Sequence, residues 1–408
     1  MLNFEPNHAP DVSNTLEPAL RLEEANLQHA FIWTVEMLSL IHVPNWLPWN
    51  RYVTSIPQSL QNWLKSLLRH SVQAYDPDSE IAYKLSRQLY LLVFGQTARK
   101  LSLESNLEQA VTRCSMKLHE LLAAHRRLSQ LNVPCIANEN WIQFQIGPDI
   151  GTGRGHFKLY VDVPYDRLGG FLNALVEHNS LEGNPISHIK HVNPHFLSAT
   201  AKYLDNLARI DSSGRNPPSQ TTDLLAEAYC KLERADKVVL YLSGDDFDSL
   251  FKAREVLGRI SRIDESFLDD SRLCFPPLAF PLFRKTESGV REFRRVGLAY
   301  DSGNNKQLSA GIKAMENFTY NVIGFLRQSM YGKKVSEFKP DLIVLSDGTV
   351  FGREEFIRYL RDSVRVREGL DLPSWCPLAF TIRTTYQDSS RFRRHMQSTE
   401  FLRAVGLL

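Results

Sequence analysis

Residues 155–172, GHFKLYVDVPYDRLGGFL, alternate apolar and polar side chains. In an extended chain, Phe157, Leu159, Val161 and Val163 fall on one face and Lys158, Tyr160 and Asp162 on the other. After Pro164 the period changes to three and four, with Leu168, Phe171, Leu172, Leu175 and Val176 on one helical stripe. The pattern predicts a strand with one packing face and one face left to chemistry or water, running into a helix.

Upstream, from about residue 16 to 130, apolar residues recur at helical spacing in EPALRLEEANLQHAFIWTVEMLSLI, SLQNWLKSLLRHSVQAY, SEIAYKLSRQLYLLVF and NLEQAVTRCSMKLHELLAAHRRLSQL. Turn residues in VPNWLPWN, YDPDS and LSLES separate them. Trp46 and Trp49 in the first break read as packed aromatics. Near residue 141 the texture changes: Trp141, Gln143 and Gln145 alternate with Ile142, Phe144 and Ile146, which predicts a strand. Gly147, Gly151, Gly153 and Gly155 follow, but neither GxxxxGK[ST] nor GxGxxG before a helix is present, so a hairpin-type connection is expected.

Further along, ISHIKHVN reads as a strand, PHFLSATAKYLDNLARI as a helix capped by Asn193, and DSSGRNPPSQTT as a polar loop. ERADKVVLYLSG is the clearest buried strand, and Asp245 or Asp246 caps the helix after it. FPPLAFPLFRKTESGVREFRRVGLAYDSG has the prolines and glycines of irregular structure and edge strands. LSAGIKAMENFTYNVIGFLRQSMYG is helical, DLIVLSDGTVF is strand and turn, and REEFIRYLRDSVRV is helix. The fold class is therefore α+β, in three parts: a helical N-terminal domain (1–135), a mixed α+β domain (136–335) and a C-terminal α+β extension (336–408) packed on the second.

Composition narrows the function classes. With 48 Lys and Arg against 46 Asp and Glu, the net charge is only +2, which offers no general attraction to nucleic acid or anionic membrane. Five scattered cysteines without a CxxC pair fit neither a zinc site nor a disulfide framework and point to a reducing compartment. The N-terminus lacks the apolar core of a cleaved secretory signal, and no apolar run is long enough to span a membrane. A cytoplasmic location is expected, which leaves room for delivery into a host cell by a system that needs no cleaved signal.

No GxSxG, HExxH or kinase loop set is present. His188, His191 and His195 tempt a metal assignment, but on a strand running into a helix they do not converge without other ligands, and none is near in sequence. No metal and no cofactor are expected. The other constellation is cationic: Lys158, Lys190, Arg234, and Arg291, Arg294 and Arg295. If their strands share a sheet, several cations gather in one place, which suits a phosphate dianion; solvated strand ends are the competing reading.

The ordered set LSRQLYLLVFGQ, FKLYVDVPYDRLGGFLNAL, ISHIKHV, ERADKVVLYLSGDDFDSL, and PLFRKTESGV to RRVGLAYDSG with LSAGIK behind it resembles the HopA family of bacterial type III secretion effectors and its relatives in bacterial peptide-modification clusters, over roughly residues 80 to 330. Members of that family are similar to phosphothreonine lyases and to the lyase components of lanthipeptide biosynthesis. The resemblance implies an α+β lyase-like domain that removes phosphate from phosphothreonine or phosphoserine by β-elimination, without metal or cofactor. It implies that Lys158 holds the phosphate or polarises the adjacent carbonyl, that Lys190 abstracts the proton, and that Arg234, Arg294, Arg295 and Lys313 bind phosphate. Lys313 matches a family Arg loosely. Tyr160 stands where the lyases carry an acid His, and a phenol is a weaker acid than imidazolium.

For Lys190 to act as a base, its pKa must fall from about 10.4 toward neutrality, which burial and neighbouring cations promote. Two readings follow: a phospho-peptide lyase, and a non-catalytic effector or adaptor using the same fold and cationic cleft for protein–protein binding. The expected partner is a phosphorylated peptide or protein, with a kinase or chaperone as a further candidate.

Overall fold

The structure, a computed structural model, describes residues 107–138, 141–149, 156–193, 237–244, 246–268, 280–286, 289–301, 335–339, 342–345, 347–348, 350–368 and 399–408, with six positions between 317 and 325. The expectations for residues 1–106, the glycines from 151 to 155, the helix after Asn193 and the loop before Arg234 lie outside the described residues.

Seven strands form one sheet in the order β1 (Cys135–Ala137), β2 (Trp141–Gln145), β4 (Ile186–Val192), β5 (Val238–Leu242), β3 (His156–Val161), β7 (Gly289–Asp301) and β6 (Phe280–Thr286). Every neighbouring pair is antiparallel. The α+β class is what the two periods of the sequence predicted. The segment read as irregular with edge strands is more regular than that: β6 is an edge, but β7 runs 13 residues and pairs on both sides. Its second half is buried without a break from Arg295 to Ala299, as in an interior strand covered on both faces.

Helices cover one face. In α1 (Leu107–Gln130), His125 lies 5.8 Å from the Phe144 ring. In α2 (Tyr165–Leu181), Leu168, Phe171, Leu172 and Leu175 are buried as the helical stripe requires, and Phe171 meets Phe267 in the short turn after α3. In α3 (Phe247–Ile263), Phe247 meets Phe157 of β3 at 5.9 Å. The predicted cap holds: the Asp246 carboxylate accepts from the Ser249 amide at 2.6 Å. Between α2 and β4 the chain turns through Gly183 and Asn184, both at positive φ. Asn179, fully buried, fastens that turn by accepting from the Ile186 amide and donating to the Ile186 carbonyl, each at 2.9 Å.

The C-terminal part has a second antiparallel sheet, β8 (Val335–Lys339), β9 (Leu342–Leu345) and β10 (Val350–Gly352), followed by α4 (Arg353–Glu368). Phe318 and Phe325, at helical positions, both meet Phe356 of α4 edge-on. The last helix, α5 (Thr399–Val405), returns to the main sheet, where Phe401 touches Phe247 and Phe280. No helix among the described residues is long and apolar enough to cross a membrane.

Candidate functional site on the second face of the sheet

The pleat sets the site. Because side chains alternate, the register fixes which residues share the face opposite the helices. One row across it reads Gln145, His188, Tyr241, Lys158, Ala299; the next reads Gln143, Lys190, Val239, Tyr160, Gly297. Lys158, Tyr160 and Lys190 therefore lie on one face in adjacent rows. Lys158 and Lys190 are separated by β5 and by one row, so their backbones stand about 12 Å apart by ordinary strand spacing and rise. That is a span two lysine side chains can close between them.

Tyr241 is the hub. The Lys158 ammonium lies 4.7 Å from its ring centre, the His156 ring 5.5 Å and the His188 ring 6.4 Å. Lys158 donates to the Asp301 carboxylate, and the same carboxylate oxygen is 4.0 Å from His156 Nε2. Burial pushes the Lys158 ammonium down, but Tyr241, Asp301 and Tyr160, with the hydrogen bond to Asp301, outweigh it and hold its pKa above the usual value. Lys158 is thus a permanent cation at neutral pH, suited to holding an anion and not to accepting a proton.

Lys190 is half-buried, with its ammonium 4.7 Å from the Trp141 ring centre. Tyr160 is buried in a small apolar cluster with Val239 and Ala299, against which Tyr241 packs. The polar face is therefore less open than alternation alone implied: only His156 of β3 escapes full burial. Burial pushes the His188 imidazole down, with Asp149 pulling the other way, and its Nδ1 is hydrogen-bonded to the Ser187 hydroxyl.

One row beyond Tyr160, Asp162 takes an ion pair from Lys237 and lies 3.7 Å from Arg295, which also donates to the Asp162 carbonyl at 2.8 Å. All three are buried. The Arg295 guanidinium is thus engaged with Asp162. Arg294 lies beside it in β7. Arg234 and Lys313 lie outside the described residues.

His188 and His191 face opposite sides of the sheet. His191 stacks on Phe144 at 5.6 Å and meets His125 edge-on at 5.7 Å, and its Nδ1–H donates to the Val192 carbonyl at 2.8 Å. Burial pushes its pKa down to about 4, with the Val192 hydrogen bond opposing and His125 adding to the fall. Among the described residues no group of three His, Cys, Asp or Glu side chains is arranged to hold a metal ion.

His156, Tyr241 and Asp301 were not singled out by sequence reasoning. His156 sits two residues before Lys158 and Tyr241 alternates within VVLYL, so period two could have assigned both to the face. Asp301 could not have been found so, because only the pairing of β3 with β7 brings it there.

No family model matches the sequence, and no curated protein does. A solved structure, the effector protein from Pseudomonas syringae pv. tomato strain DC3000, aligns over 76% of this chain and 88% of its own, with 11% identity and a TM-score of 0.30. A likeness that loose carries no argument, and the functional reading rests on the residues themselves.

Proposed function

We propose that the protein binds a phosphorylated peptide or protein on this face and eliminates phosphate from phosphothreonine or phosphoserine. The observation that supports the reading is that Lys158, Tyr160 and Lys190 share one face of the sheet in two adjacent rows. Lys158 holds the phosphate, displacing Asp301 as its partner. Lys190 leaves Trp141 and, as the neutral amine, takes the α-proton, while Tyr160 donates a hydrogen bond toward the departing oxygen. Arg234, Arg294 and Lys313 complete the phosphate cradle, and Arg295 adds positive charge from behind Asp162. In a site partly screened from water, fixed cations stabilise the charge that develops on the leaving group, and positioning supplies the rest. The division into units at 1–135, 136–335 and 336–408, and work in the cytoplasm of the producing cell or of a host, belong to the same proposal.

The second reading, an adaptor that binds through this face without turnover, draws on a specific observation: Lys158 is already neutralised by Asp301, and Tyr160 is packed. Mass spectrometry of phosphothreonine and phosphoserine peptides incubated with the protein and with Lys190→Ala separates the two. Loss of phosphoric acid with the parent alone supports the lyase; binding of the peptide without mass change supports the adaptor.

A further inference from the structure

The lyase reading leaves one role badly filled. Departure of phosphate needs a proton at the bridging oxygen, and Tyr160 is a phenol, buried against Val239 and Ala299. A stronger acid stands on the same strand. His156 is two residues before Lys158, on the same face by the period of the strand, and its partner across the ladder is Asp301.

Both rings reach Tyr241, but a carboxylate neighbour and partial exposure set His156 apart from His188. Its Nε2 is 4.0 Å from the carboxylate oxygen that also receives the Lys158 ammonium, so a protonated ring finds a counter-ion in place. Its ring lies 5.5 Å from Tyr241, the same aromatic that Lys158 covers. It is also the residue of β3 whose ring remains partly exposed, with Nε2 on the buried side toward Asp301. The charged and titratable groups facing it are Asp301 from β7, Lys158 from its own strand and Tyr241 from β5. His188, by contrast, is tied to Ser187 and held toward its neutral form by burial.

We infer that His156, seated against Asp301 and Tyr241, is the general acid of the elimination. The inference rests on the lyase reading. Lys190 takes the proton from Cα, the Cα–H electrons form the Cα=Cβ bond, the Cβ–O bond breaks with its pair on the phosphate oxygen, and His156 delivers a proton to that oxygen. The products are a dehydrated residue and inorganic phosphate. Exchange with water then resets Lys190 and His156, so no further reactant is needed.

The test is steady-state kinetics on a phosphothreonine peptide with the parent, His156→Ala and His188→Gln. The expected result for His156→Ala is a fall in kcat of about 10²-fold with KM little changed, loss of the alkaline limb of the kcat–pH profile, and partial recovery on adding imidazole. His188→Gln keeps kcat within about threefold of the parent, far short of a general acid's contribution. An active parent with an equally active His156→Ala overturns the inference and leaves the lyase standing. Loss of kcat that imidazole does not restore also overturns it, since it assigns His156 a structural part. A parent that releases no phosphate overturns this inference together with the function on which it rests.

Discussion

The two faces of the seven-stranded sheet are both largely buried, yet they are built on opposite terms. On the helix side, Phe144, Phe157, Ile189, Leu240 and Leu298 have essentially no exposure, and two imidazoles, His191 and His125, sit against them, with burial holding His191 toward its neutral form. On the other side, Lys158, Tyr160, Asp162, Lys237 and Arg295 are buried too, and charge is matched against charge. Apolar packing is tolerant of the loss of any one contact in proportion to the volume removed. A compensated charge cluster is not: removing one member leaves another stranded in a medium that cannot solvate it.

That contrast is sharpest at Asp162. Asp162→Ala leaves Lys237 and Arg295 buried without a counter-ion and is expected to cost about 3–5 kcal/mol, read from urea unfolding. Adding Lys237→Met and Arg295→Met to Asp162→Ala recovers most of the loss if uncompensated charge is the cause; no recovery breaks the comparison. Phe157→Ala costs a similar ~3–5 kcal/mol through its cavity, and changes to nearby charges leave that loss unaltered.

Next in size is the acid response of the apolar face. The fold disfavours the charged His191 ring, so the unfolded chain binds the extra proton. The contribution is complete above pH about 6.5 and is lost as pH falls toward about 4. The gap corresponds to about 3 kcal/mol. In His191→Phe, urea midpoints at neutral pH and near pH 4.5 lie closer together than in the parent; an unchanged gap removes His191 as the cause.

Asp301→Asn withdraws the charged partner of Lys158 and is expected to cost about 1–2 kcal/mol, with the Lys158 amine titrating lower when followed by NMR. An unmoved titration contradicts the account of that cation. Asp246→Ala, a cap remote from the charge clusters, is expected to cost about 1 kcal/mol in thermal unfolding at any pH where carboxylates are ionised.

Local rules made much of this legible. The strand at 156–161, the helix after Pro164, the Asp246 cap and the VVLYL strand follow from period, turn chemistry and capping alone. Lys158, Tyr160 and Lys190 could be placed on polar faces of their own strands, but a single strand's pattern does not say which strand lies beside it. The order β4–β5–β3–β7 supplies that, and with it Tyr241 and Asp301. The alternation also misjudged Tyr160 as solvent-facing, because it reports the chemistry of a side chain and not what closes over it. Arg295 likewise reads as a free cation until the antiparallel pairing brings Asp162 beside it.

One feature of the topology bears on how the protein comes into being. Lys158 reaches an Asp301 that is 143 residues away in the chain, and Asp162 an Arg295 133 residues away. Contacts of such sequence separation form late and slowly, because the loop they close must be ordered before any contact rewards it. During synthesis, β3 emerges well before β7, and until β7 docks Lys158 and Asp162 lack these two partners. The Asp301 and Arg295 contacts therefore wait for β7, while Lys237 and Tyr241 have already been synthesised, and a chain cut before residue 289 loses those two contacts together.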